Sequence, residues 1–371
     1  MTIWRATESA GRTSTPRYEI VRSLKNQLRI ALTADPELPV PPKHYGGIER
    51  IVDMLAHGLV ARGHDVTLFA HPESSSAGRL VPWPGASSLS ATDTIRNAAT
   101  LAKWVKRHRV DIVHSFSRIA YLTPILPMTL PKLMTYQRAI SPRSVRLGHA
   151  LSRGTLEFTA ISEWMMQHVK HIGRWSMIPN GVPLDTYTFR ATVARDAPLV
   201  FLGRIEEIKG PHLAIEIARR SGRQLIIAGN IPNEKRAWVE THVLPYVDGD
   251  RVRYIGPVDD VQKNALLGEA AALLMPILWD EPFGIVMAEA MACGTPVIGL
   301  RRGAVPEVVQ HGVTGFVEHD VDGLVAAISR LASLDRSACR ARVESLYSDA
   351  AVVAAYEAHY RTLVAQRQAA V

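Results

Sequence analysis

Short apolar runs alternate with helix-period segments in two successive series, and this rhythm constrains the fold more than any other feature of the sequence. The first series opens at Leu28–Thr33 (LRIALT), an apolar run closed by Asp35-Pro36 as a buried strand would be. Ile48–Ala61 then carries helical periodicity up to Gly63, Asp65–Ala70 (DVTLFA) reads as a strand, Thr94–His108 as a helix and Val110–Ser115 as the next strand. Lys132–Tyr136 and Phe158–Ile161 are further strands. After residue 197 the rhythm restarts with Leu199–Gly203, Gln224–Gly229, Val252–Ile255, Ala272–Met275 and Pro296–Gly299, again with helical segments between them. Such a β-α-β alternation implies parallel sheets covered by helices on both faces. The expectation is an α/β protein of two doubly wound, Rossmann-like domains facing a central cleft.

Length agrees, since 371 residues suit two domains of about 100–200 residues each. Ile178–Ala197 holds Asn180-Gly181 and Pro183 with little periodicity, as an interdomain connector would. The division reads as a loose polar extension over 1–27, a first domain over 28–190 and a second over 191–347. Tyr18–Lys25 in the extension has the pattern of a short helix, and a final helix over 348–366 is expected to pack back across the body. No run approaches the roughly 18 apolar residues of a membrane helix, and the start lacks a signal-peptide pattern. Two cysteines, Cys293 and Cys339, make neither a disulfide framework nor a zinc site, so a cytoplasmic location is expected. The net charge of +8 favours anionic partners such as nucleotide phosphates or acidic headgroups.

Three segments carry chemistry. In Trp279–Thr295 (WDEPFGIVMAEAMACGT), Pro282 suits a first helical turn, and Phe283, Gly284, Ile285 and Val286 offer backbone N–H groups at a positive helix end. Glu281 and Glu289, placed on one helix, would stand about 12 Å apart along its axis with only ~80° of rotation between them. Carboxylates so spaced suit two hydroxyl-bearing ends of one ligand, with phosphate between. In Gly203–Gly210 (GRIEEIKG), Arg204 follows a strand and Lys209 opens a helix, where open α/β sheets bind ligands, and two cations there suit a diphosphate. In Tyr45–Arg50, Gly46 and Gly47 precede a helix and let backbone amides approach a phosphate. Neither G-x-G-x-x-G nor a Walker Gly-Lys-Ser/Thr accompanies them.

EPFGIVMAE, GRIEEIKG, YGGIER and the connector's IPNGVPLD together resemble the family 4 retaining glycosyltransferases of the GT-B fold, from about Leu28 to the C-terminal helix. The wording PPKHYGGIER and DDVQKNALLGEAAALLMPILWDEPFG looks most like a bacterial branch related to antibiotic and exopolysaccharide assembly. The resemblance implies that the first domain serves the acceptor and the second a nucleotide sugar. Glu281 would hold donor sugar hydroxyls with the Phe283–Val286 backbone, Glu289 the ribose, Arg204 and Lys209 the diphosphate, and Gly46 and Gly47 the phosphate side. It further implies retention of anomeric configuration by a front-face reaction, with no metal and no cofactor beyond the donor.

The family commonly ends the strand read here as DIVHSF in His-x-His; here His114 is present and Phe116 stands second, so His114 is kept as an active-site candidate. Gln137 likewise stands where a histidine is frequent. Two basic stretches, Lys132–Arg153 (Lys132, Arg138, Arg143, Arg146, Arg153) and Lys103–Arg109 (Lys103, Trp104, Lys106, Arg107, Arg109), suggest contact with a lipid-phosphate acceptor or the anionic inner face of a membrane. Competing readings are a nucleotide-sugar epimerase, a phosphorylase, for which no pyridoxal-lysine context is found, and a basic nucleic-acid-binding protein. No nucleic-acid motif supports the last, so no nucleic-acid partner is expected.

Overall fold

The computed structural model describes residues 27–43 and 46–369. The N-terminal extension short of Gln27, its short helix and Tyr45 lie outside the described residues. Seven parallel strands, β1 (Arg29–Thr33), β2 (Asp65–Ala70), β3 (Arg79–Pro82), β4 (Ile112–Ser115), β5 (Lys132–Tyr136), β6 (Leu156–Ala160) and β7 (Trp175–Met177), form one sheet in the order β3-β2-β1-β4-β5-β6-β7. Six more, β8 (Leu199–Leu202), β9 (Leu225–Ala228), β10 (Val252–Tyr254), β11 (Ala272–Met275), β12 (Val297–Leu300) and β13 (Gly315–Glu318), form a second in the order β10-β9-β8-β11-β12-β13. Strand order reverses between β1 and β4 and between β8 and β11, and such switch points open crevices past the strands' carboxyl ends.

The helices used below are α1 (Gly47–Ala61), α2 (Ala91–Arg107), α3 (Pro142–Ser152), α4 (Glu163–Met166), α5 (Pro211–Arg220), α6 (Asp260–Glu269), α7 (Ile285–Ala292), α8 (Val305–Val308), α9 (Arg336–Leu346) and α10 (Asp349–Ala369). Their boundaries follow local chemistry. Ser90 caps α2 through the Asp93 amide, and Asp259 with Gln262 forms a reciprocal capping box at α6. Helix α1 turns Ile51, Val52, Leu55 and Leu59 onto the first sheet, the spacing of an amphipathic face. Helix α10 joins the same core, burying Val353, Tyr356 and Tyr360 with Ile30, Leu32 and Leu55, so the last helix of the chain packs on the first sheet.

Strands β3, β7 and β13 carry no signal in the sequence reading. Strand β3 pairs only with β2 and shows the pattern of an edge, largely exposed and ending at Pro82. In the sequence, helix α3 shows only as part of a basic stretch; Pro142 at its first turn and Val145 in the core define it. The connector is fixed to the second lobe by Arg336, whose buried guanidinium donates to the carbonyls of Arg190, Ala270 and Gly268 and to Thr295 Oγ1.

Candidate active site

The loops after β8 and β11 meet because their strands are neighbours. The Leu278 amide donates to the Ile208 carbonyl, and Gly210, in the left-handed region at φ 76°, passes so close that a Cβ would lie 2.0 Å from the Pro276 oxygen. This packing brings Lys209 to Glu281: Nζ lies 2.7 Å from Oε2 and 4.6 Å from the Trp279 ring centroid. Trp279 Nε1 donates to the same Oε2 at 3.1 Å. Both protein donors thus converge on one oxygen of a carboxylate that is 8% exposed, and Oε1 has no partner among the described residues.

Glu281 and Pro282 do not belong to a helix, contrary to the sequence reading. Gly284 at φ 75° reverses the chain, caps α7, and the helix begins at Ile285. At this positive φ a side chain on residue 284 would strain the backbone, which is why glycine stands there. The two carboxylates are therefore not stacked along one helix: Glu281 lies on the incoming loop, and only Glu289 lies on α7. The Phe283 side chain is buried against Tyr347, with ring centroids 5.5 Å apart, so only its backbone is available to a ligand. The amides of Phe283, Gly284, Ile285 and Val286 have no acceptor among the described residues, as expected where a helix starts.

Glu289 repeats the arrangement of Glu281. Lys263 Nζ and Tyr187 Oη each lie 2.7 Å from Glu289 Oε1, and Oε2 has no partner among the described residues. Burial, reinforced by the adjacent carboxylate, pushes the Tyr187 hydroxyl up, so it remains a donor. Lys263 also lies 3.2 Å from Asp260, whose pKa is lowered: burial pushes it up, and Lys263 with Arg50 more than offsets that.

Across the cleft, a Cβ on Gly47 would lie 3.6 Å from Ile285 Cδ1, so the start of α1 faces the start of α7. Gly46 has no such room, with Pro42 Cβ 2.6 Å from an added Cβ. Arg50 Nη1 reaches Asp260 Oδ2 at 3.2 Å, and Glu307 on α8 accepts from the amides of Glu163 and Trp164 at 2.7 Å each. Arg204 is in the same loop as Lys209 but pairs with Glu206 at 2.8 Å rather than with a glutamate of the α7 segment.

His114 lies inside the first lobe's core with both ring nitrogens engaged. It is wholly buried, with Nδ1 2.5 Å from Tyr360 Oη and Nε2 2.6 Å from Thr135 Oγ1, and burial holds its pKa well below the ordinary histidine value. Phe116 packs beside it with ring centroids 4.2 Å apart, closing the strand end with an apolar side chain. The first basic stretch also loses a member: Lys132 is fully buried, its Nζ donating to the Met128 and Leu130 carbonyls, and burial with Arg367 lowers its pKa to about 7. Sequence reasoning alone does not single out Trp279, Lys263, Tyr187, Asp260 and Arg50; Trp279, Lys263, Asp260 and Arg50 lie inside quoted motifs, and Tyr187 has no local signal.

Residues 191–345 match the family model described as glycosyl transferases group 1, and residues 45–186 match that of glycosyltransferase family 4. The chain belongs to the family 4 glycosyltransferases. Its two sheets are the two lobes of the GT-B fold. The phosphatidyl-myo-inositol mannosyltransferase of Propionibacterium freudenreichii is 27% identical over 340 residues, which is 81% of this glycosyltransferase and 83% of that protein. AviGT4, a glycosyltransferase involved in avilamycin A biosynthesis, is similar in structure with TM-score 0.70 and 26% identity over 91% of this chain and 98% of its own. HepE of Anabaena, solved with UDP and glucose, shares the fold with TM-score 0.69 at 18% identity over 91% of this chain and all of its own. Among the described residues of this glycosyltransferase, no cluster of His, Cys, Asp or Glu is arranged to hold a metal ion, and no helix is long and apolar enough to cross a membrane.

Proposed function

We propose that this glycosyltransferase takes its sugar from a nucleotide diphosphate and transfers it with retention, using the face of the second lobe between Glu281 and Glu289 as the donor site. One observation carries the reading: two glutamates, each pinned through a single oxygen and offering the other, flank a set of unpaired helix-start amides. Sugar and ribose hydroxyls are donors that such free oxygens accept, and the amides with Lys209 suit the diphosphate between them. Arg204 adds charge from the same loop.

In the reaction the bond from the anomeric carbon to the diphosphate oxygen breaks and a bond from the acceptor oxygen to that carbon forms on the same face. The acceptor proton passes to the leaving phosphate, whose charge Lys209 and the amides stabilise. Glu281 orients the sugar, and no metal or further cofactor takes part. Calorimetry with uridine, guanosine and adenosine diphosphates and their hexose esters tests this, paired with release of nucleotide diphosphate in the presence of EDTA. Absence of binding by all of them would refute it.

The acceptor lobe supports a peripheral membrane contact at the cytoplasmic face. Helix α3 exposes Leu147 (55%) and Leu151 (39%) beside the exposed Arg143 and Arg146, with Arg153 just after it and no acidic residue within it. Cosedimentation with anionic vesicles at low salt is expected, and its absence there removes this part of the reading.

A further inference from the structure

A chain of charged contacts runs from one lobe to the other through the ribose-side glutamate. It starts at Arg50 on α1, passes to Asp260 at 3.2 Å, from Asp260 to Lys263 at 3.2 Å, and from Lys263 to Glu289 at 2.7 Å. It ends at Tyr187 in the interdomain connector, whose hydroxyl donates to Glu289 at 2.7 Å and whose ring faces Lys263 Nζ at 5.5 Å. Four elements are thus joined: α1 of the first lobe, α6 and α7 of the second, and the connector. The inner members are shielded, with side-chain exposures of 15% for Lys263 and 14% for Glu289; Arg50 and Asp260 are 48% and 46% exposed.

Building on the donor reading above, we propose that Lys263 and Tyr187 are positioning residues that aim the free oxygen of Glu289 at the donor's ribose, and that Asp260 and Arg50 tie this aim to the approach of the lobes. A lone glutamate on α7 has several rotamers. Two donors on one oxygen select one of them and leave Oε2 as the acceptor presented to a ligand. Lys263 can hold this place only while its other contact, Asp260, is itself held, and Arg50 supplies that hold from the opposite lobe. Lobe separation breaks the outer, exposed link first, leaving Asp260 to draw Lys263 away from Glu289.

Ribose discrimination is the readout, because a merely structural lysine would not move it. The full-length chain is titrated with UDP, GDP and ADP and with the 2′-deoxy form of each. The wild type is expected to bind at least one ribonucleotide, about tenfold or more tighter than its deoxy form. Lys263→Met should lose that preference as Glu289→Gln does, while binding of inorganic pyrophosphate stays within about twofold; Lys263→Arg should retain most of the preference. Tyr187→Phe and Arg50→Met should each reduce it part-way, Arg50→Met more at low salt than at high salt. A Lys263→Met protein that keeps the full preference overturns this inference and leaves the donor reading standing. A wild type that binds none of the nucleotides overturns the donor reading and this inference with it. Loss of pyrophosphate binding together with nucleotide binding in Lys263→Met assigns the lysine to general stability of the lobe and also overturns it.

Discussion

Replacing Lys209 by alanine removes the ammonium that the structure places against both Glu281 and the Trp279 ring. The size of the effect on donor binding follows from two opposing terms. A unit charge about 4 Å from a phosphate charge, at the effective dielectric near 20 found close to protein surfaces, is worth about 4 kcal/mol. Lys209 is already paired with Glu281 at 2.7 Å, so the incoming diphosphate gains only the excess over a contact it shares. Taking about half as the remainder, Lys209→Ala should weaken nucleotide diphosphate binding by more than ~2 kcal/mol, close to thirtyfold in Kd. The free protein pays in the same change, since Glu281, 8% exposed, keeps only the Trp279 N–H. Calorimetry on the full chain, repeated from low to high salt, measures the loss and should show it shrinking as salt rises. Binding within threefold of wild type at low salt would refute the assignment of the diphosphate to this loop.

Three other outcomes are expected. Glu289→Ala should weaken donor binding or turnover by more than ~2 kcal/mol, measured as Kd and as kcat/KM, because it removes a carboxylate held by two donors in a shielded site. His114→Leu should cost about 1–3 kcal/mol in denaturant unfolding, by stranding the Tyr360 hydroxyl and a Thr135 bond, and leave turnover within about threefold; a large loss of turnover at unchanged stability would return His114 to the chemistry. Asp35, in the loop after β1, has its carboxyl pushed up to about 6, first by burial and then by Glu37, and its Oδ1 has no hydrogen-bond partner among the described residues. The folded state therefore holds this proton more tightly than the unfolded chain, so stability falls as pH rises from about 4 to about 6. Asp35→Asn should accordingly raise unfolding stability by about 1–3 kcal/mol at pH 7.5 and much less at pH 4.5, read from urea midpoints at the two pH values.

The parts of this molecule that were legible in its sequence are those whose cause is local. Strands such as Leu225–Ala228 and Ala272–Met275 announce themselves because burial on both faces demands a continuous apolar run, whereas Arg79–Pro82 pairs on one side only and needs none. The glutamates, Lys209 and the Pro-Phe-Gly start were visible as residue types, but spacing alone mislaid Glu281. Counting eight residues assumes one continuous helix, and Gly284 in the left-handed region interrupts it, which moves the first carboxylate onto a loop beside Lys209. His114 shows a long-range dependence instead. The family's His-x-His pattern makes it an active-site candidate, and its burial is set by Tyr360, 246 residues on, delivered by the helix that packs back on the first sheet. Glu289 shows the same dependence in a site that does bring its groups together: Tyr187 reaches it over 102 residues and Lys263 over 26. A motif therefore identifies which atoms can meet a ligand, while the direction in which they point is decided by partners that only the tertiary fold supplies. For this enzyme that second layer, Lys263, Tyr187, Trp279 and the Arg50–Asp260 link, is where differences in donor selection between relatives with the same glutamates should arise.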